Sequence, residues 1–192
     1  MKFAIMILGG SMTTLIITLA SFFIIFILGL LIAGTYNNFQ NYIIRINEAE
    51  ANIDSTLRTR FDLLNKSIDI IKANTKIEGD ILTIIVKLRS RKLSNFDLDR
   101  KLYEGIKEFN KHKEEHPELK KSEVFTKIDI SLSESEAEIV AFRKYYNDII
   151  TDYNKLVKRF PSNIIALMFK FKPKLYFDGK DMSDDDTKDF KL

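Results

Sequence analysis

From Phe3 to Ile44 the chain carries no charged residue, and Phe3 to Ala33 is apolar apart from Gly, Ser and Thr. About 20 apolar residues cross a bilayer core as a helix, and a charge there is costly. A helix over residues 3–33 would be about 46 Å long, against a hydrocarbon core of about 30 Å. The Gly9-Gly10-Ser11 step predicts a break, which narrows the span to 12–34. The alternative is a cleaved signal peptide led by Lys2, but the apolar run exceeds the usual 7–15 residues of such a segment. The expected element is therefore an uncleaved, single-pass anchor. Lys2 before the span and Arg45 behind it slightly favour an N-terminus inside and the rest of the chain outside the cytoplasm. Ser11, Thr14, Thr18 and Ser21 form one hydroxylated stripe on the span. Such stripes support self-association, unless each hydroxyl bonds its own helix backbone.

Beyond the span the apolar period becomes 3.5. Phe125, Ile128, Leu132, Ser135, Ile139, Phe142, Tyr146, Ile149, Tyr153, Leu156 and Phe160 advance in steps of three and four. This predicts a long helix with one seam. Pro117 suits its first turn, and Pro161 stops it. A second seam runs through Tyr36, Phe39, Ile43, Ile46, Ile53, Leu57, Leu64 and Ile71, with Glu50, Arg60 and Ser67 interrupting it. The two segments, 36–73 and 125–160, would be about 57 and 54 Å long and would bury one another. Thr75-Lys76-Ile77-Glu78 reads as a capping box that starts a shorter helix with Ile81, Ile84, Ile85 and Leu88. Ser94 caps another, with Leu98, Leu102, Ile106 and Phe109 on its face and an end near His116. The expected fold is all-α: an N-terminal transmembrane helix, then an elongated antiparallel four-helix bundle. The domains are 1–35 as anchor, 36–177 as bundle with a C-terminal hook, and 178–192 as an acidic flexible tail.

In an alternating bundle the fourth helix returns to the membrane exit, which sets Phe160 beside Tyr36. Paired residue numbers then sum to about 196. Glu50 would face Tyr146 and Arg143, and Arg60 would face Glu136. The repeated pairs Tyr36-Asn37, Tyr146-Asn147 and Tyr153-Asn154 would join them in fixing one register among slipped ones, because buried polar groups must be bonded. The segment 162–177 would begin at the membrane surface. Ile164, Ile165, Met168, Phe169 and Phe171 would dip toward acyl chains, while Lys170, Lys172 and Lys174 meet anionic headgroups. The competing reading folds these apolar residues back as a plug on the bundle end.

Composition removes most chemistry. There is no cysteine, so thiol nucleophiles and Cys-based metal sites are excluded. The net charge of +3 is too small for a dedicated nucleic-acid binder, and Asp148 and Asp152 dilute the basic group Lys155, Lys158 and Arg159. No phosphate-binding glycine loop or nucleophile elbow is present. His112-Lys113-Glu114-Glu115-His116 spells H-x-x-E-H, the pattern of inverted zinc proteases. Yet His116 precedes Pro117, which disfavours helix there, and any third ligand would have to be a carboxylate. The expectation is a solvated helix end, with no metal, no cofactor and no catalytic residue. The terminal Phe190-Lys191-Leu192 matches a PDZ-type ligand only as well as many chance sequences do.

The stretches Tyr36-Asn37, Glu48-Ala49 with Ile53-Asp54, Leu57, Arg60-x-Asp62-Leu63-Leu64, His116-Pro117-Glu118-Leu119-Lys120, Glu138, Arg143-x-x-Tyr146-Asn147, Tyr153-Asn154, Phe160-Pro161-x-Asn163-Ile164-Ile165-Ala166, and Phe171-Lys172-Pro173 with Tyr176-Phe177 form one set along the chain. Together they resemble the LemA family of membrane-anchored bacterial proteins. The likeness is weakest over 80–115. This chain has Glu50 where the family commonly has Trp, Asn65 where it has Pro, and Lys170 where it has Gly between two Phe. The resemblance implies one membrane helix, a four-helix domain and no established enzymatic activity. The function expected is a structural or protein-interaction role at the bacterial envelope, with the bilayer, other envelope proteins and a second copy as partners, and no nucleic acid. The alternative is lipid-directed membrane remodelling through 162–177.

Overall fold

The computed structural model describes residues 2–74 and 93–178, with side chains for 12–71 and 93–178. Among these residues the fold is all-α, with no strand. Helix α1 runs Lys2–Asn74, α2 Asn95–Glu115 and α3 Glu123–Lys158; α4 is the short Ser162–Met168, and a 3-10 helix over Pro117–Lys121 joins α2 to α3. The capping box at Thr75 and its helix lie outside the described residues, as do 179–192 with the terminal Phe190-Lys191-Leu192.

Helix α1 passes through Gly9-Gly10-Ser11 without the predicted break. A glycine inside a helix costs only about 1 kcal/mol, which the uniformly apolar run absorbs. Its apolar stretch is long enough to cross a membrane, and none of it is buried within the protein. Thr18 Oγ1 donates to Leu15 O at 2.8 Å, and Ser21 Oγ to Ile17 O at 2.8 Å. On the hydroxyl stripe these two therefore satisfy themselves within their own helix.

Pro117 opens the 3-10 helix rather than α3. Ser122, at the far end of that short element, caps α3 by accepting from Phe125 N at 3.3 Å. Ser94 caps α2, as its position predicts, by accepting from Asp97 N at 3.1 Å. Helix α3 ends at Lys158, three residues before Pro161.

The described chain forms two compact units. The first joins residues 1–43 to 153–173, and the second joins 44–152 to 174–192. In the first unit Phe39 is fully buried, with its ring stacked on Phe171 at 4.5 Å and edge-on to Tyr153 at 5.9 Å. In the second, Ile46, Ile53, Leu57 and Leu64 of α1 are buried, as are Leu102 and Phe109 of α2 and Phe125, Leu132 and Ile139 of α3. Phe109 and Phe125 stack at 5.0 Å. The seam interruptions Ser67 and Ser135 are buried too, and each donates back to the carbonyl three residues earlier, Leu64 O and Leu132 O, at 2.7 Å. A self-satisfied hydroxyl is tolerated in a seam.

Helix α2 turns further than its apolar spacing suggested. Its buried residues are Asp99, Leu102, Gly105 and Phe109, while Leu98 and Ile106 are half-buried. A carboxylate and a glycine therefore occupy the inner face.

Candidate functional site

The first unit contains an aromatic seat immediately past the span. Tyr36 lies two residues beyond position 34, about 3 Å along the helix axis. Its ring meets Phe169 at 4.8 Å and Phe171 at 5.8 Å. The chain after α3 therefore doubles back to the end of the candidate span, where Phe169 and Phe171 meet Tyr36. Helix α4 is held on its inner side by Ile165, Ala166 and Ser162, all buried. Ser162 Oγ reaches the carbonyls of Leu156 at 2.6 Å and Arg159 at 2.7 Å. The outer side is apolar and uncovered. Leu167 is 82% exposed, Phe160 74%, Met168 60% and Ile164 51%.

The predicted hook thus divides. Ile164, Met168, Lys170 and Lys172 face outward, and Leu167 and Phe160 join them although neither was singled out, whereas Phe169 is partly exposed and sets its ring against Tyr36. Ile165 is a correction: it is buried and packs inward, since a helix about two turns long against a surface must turn one side to it. Phe171 is a second correction, half-buried and stacked on Phe39. Plug and hook are the two sides of one short helix.

Helix α4 ends in a Schellman motif. Phe171 N donates to Ala166 O at 2.9 Å and Lys170 N to Leu167 O at 3.3 Å. The motif requires a left-handed residue between them, and Lys170 has φ 60°. Glycine takes that conformation freely, and a side chain there costs about 1–2 kcal/mol. The Gly that the resemblance implies at this point would carry no such cost.

The second unit holds a buried charge cluster. Arg60, fully buried, pairs with Asp99 Oδ1 at 3.3 Å and with Glu136 Oε2. Asp99 Oδ2 also pairs with Arg143 Nη1 at 3.0 Å. Burial raises the Asp99 carboxyl above its ordinary value, and the two guanidinium groups only partly offset this. Tyr146 Oη donates to Glu50 Oε1 at 3.3 Å. Its hydroxyl is pushed up to about 12 by burial and by the Glu50 carboxylate. The pairs Glu50–Tyr146 and Arg60–Glu136 both have the antiparallel sum expected from the sequence. Arg143 is a correction: it turns to Asp99 rather than Glu50, because Asp99 sits on the inner face of α2 where the apolar pattern had placed Leu98.

The Tyr-Asn pairs separate in the same way. Asn37 is exposed and joins no buried pairing. Tyr153 and Asn154 are buried in the first unit. Asn147 serves the C-terminal strap: its Oδ1 accepts from Phe177 N at 2.9 Å, while Tyr176 Oη meets Thr151 Oγ1 at 3.0 Å. The Phe177 ring is edge-on to Phe96 and Tyr146. Lys174 is half-buried at the start of this strap in the second unit, and is not part of the exposed lysine pair of the first.

These strapped and seated residues are the ones that carried the family likeness, and a profile of the LemA family matches residues 49–189. The chain belongs to the LemA family. It is 27% identical over 159 residues to Protein LemA of Metamycoplasma hominis, covering 79% of this chain and 69% of that relative. In this LemA-family chain the matched region begins at Ala49, within α1. It takes in the charge cluster together with Tyr153, Phe169 and Phe171, whereas Tyr36 and Phe39 precede it.

At the α2 corner, His112, Glu115 and His116 bring one ligand atom each within 4.8 Å of one another. His116 leaves the helix as Pro117 dictates, with φ −125° and ψ 72°. The structure therefore keeps the H-x-x-E-H side chains together despite the break.

Proposed function

We propose that this protein is a membrane-tethered helical scaffold whose α4 seats in the lipid interface beside its own span, presenting the bundle to neighbouring envelope proteins without catalysing a reaction. One observation carries the reading: α4 shares a unit with the span, fixed by Phe169 and Phe171 on Tyr36 and Phe39, with Leu167 and Met168 left bare. Apolar side chains exposed at the level where a helix leaves lipid find acyl chains there, and Lys170 and Lys172 beside them suit anionic headgroups. The charge asymmetry about the span supports placing the bundle outside the cytoplasm.

The test uses the native absence of cysteine. Leu167→Cys, in the full chain reconstituted in anionic vesicles, takes an environment-sensitive fluorophore. Brominated acyl chains are expected to quench it and aqueous iodide to spare it. A probe quenched only by iodide overturns the interfacial seat. The second reading, membrane remodelling, rests on the same bare residues and predicts that the reconstituted chain deforms its vesicles. A scaffold leaves their shape unchanged and crosslinks to envelope proteins irrespective of lipid composition.

A further inference from the structure

The sequence holds two histidines and no cysteine, and the fold brings both histidines to one corner. The helix break at His116 does not separate them. His116 N still donates to His112 O at 3.0 Å, which closes the last turn and keeps the His116 Cα on the helix. Its φ of −125° and ψ of 72° both leave the helical range, yet the retained hydrogen bond holds the residue on the last turn. The two rings accordingly lie 28° from parallel with centroids 6.4 Å apart.

The remaining polar contacts leave these side chains available. His112 Nδ1 is buried with no hydrogen-bond partner and stands 3.9 Å from Glu115 Oε2. Ligand atoms that share one zinc ion at about 2.0–2.2 Å each need to lie nearer 3.3 Å apart, a closure within reach of side-chain torsions. His116 Nδ1–H donates to Glu118 Oε1 at 2.9 Å, which leaves Nε2 with its lone pair free. A carboxylate on the outer ring nitrogen is how metal-binding histidines are oriented. Lys113, the cation within the motif, is turned to Asp129 Oδ1 at 2.8 Å on α3, so its ammonium is neutralised.

We propose that His112, Glu115 and His116 bind one divalent transition-metal ion of the zinc class, with Glu118 as the positioning residue behind His116. Two imidazoles and one carboxylate suit Zn²⁺, and Co²⁺ as its spectroscopic substitute. Water completes the coordination, because the corner is open to solvent. The ion ties the last turn of α2 to the 3-10 helix that follows, and its role is to fix this corner, not to hydrolyse a bond.

The test is a titration of the tag-free full chain in detergent with Zn²⁺ alone, followed by calorimetry and by the melting temperature. One equivalent per chain and a metal-dependent rise in melting temperature are expected, since an ion bound only by the folded state stabilises it. Co²⁺ alone should give a visible d–d band. His112→Asn and His116→Asn should each abolish both signals, and Glu118→Gln should weaken affinity about 10–100-fold. All three replace partly exposed polar groups, and unchanged helical circular dichroism verifies that the fold is retained. Absence of saturable Zn²⁺ uptake overturns the proposal, as does uptake that persists when both histidines are replaced.

Discussion

The two units invert the usual placement of polarity in opposite ways. The first leaves Leu167, Met168 and Phe160 bare at its end. The second buries Arg60 and Asp99 in its centre. In water each would be a defect. Exposed apolar residues beside a candidate span suit the interfacial seat proposed above. Buried charges are explained by mutual pairing, which specifies register more than it adds stability. The comparison separates the apolar surface left for the proposed lipid seat from what the helices must do for one another.

Removing one member of the cluster should do the most damage. Arg60→Met takes the shared cation from Glu136 and leaves Asp99 with Arg143 alone, and it is expected to cost about 3–5 kcal/mol, read from denaturant unfolding of the full chain in detergent. Next comes a pair within α4 itself. Ile165→Ala should cost about 2–4 kcal/mol, whereas Leu167→Ala, two residues on, should stay within about 0.5 kcal/mol in detergent. Equal effects from these two would mean that α4 has no distinct buried and bare sides.

Tyr146→Phe loses one hydrogen bond and should cost about 1 kcal/mol. It should also alter the alkaline response. With the folded hydroxyl raised to about 12 from 10, Tyr146 contributes stability that is full below pH 10 and is lost as pH rises from 10 to 12. The Phe variant should lack that loss. Asp99→Asn also removes a charge from the buried cluster, so it ranks with Arg60→Met in size, and its pH dependence makes it the most diagnostic. The Asp99 carboxyl is also raised in the folded state, so its contribution is fullest below 3.8 and declines as pH rises through the higher folded value. The variant should flatten the acid limb of the stability profile at that end.

The legible parts were those governed by period and by punctuation. Ser94 caps its helix, Pro161 ends the long one, and two antiparallel seams were enough to set Arg60 opposite Glu136. Asp99 was hidden because an apolar-spacing rule assigns any carboxylate outward. Only the guanidinium groups of two other helices make its burial tolerable. Asn147 was misplaced for a related reason. Its partner is a backbone amide of the strap, and main-chain donors leave no mark in side-chain patterns. Leu167 could have been found: it stands next to Ala166 and two residues from Ile165, whose burial turns it outward.

Lys170 holds a backbone conformation that its own Cβ resists. Lys170→Gly should therefore raise unfolding stability by about 1 kcal/mol. The same change removes one of the two exposed ammonium groups that the proposed seat assigns to anionic headgroups. A tougher protein with a weaker grip on acidic lipid is the expected trade, and this chain has settled on the other side of it.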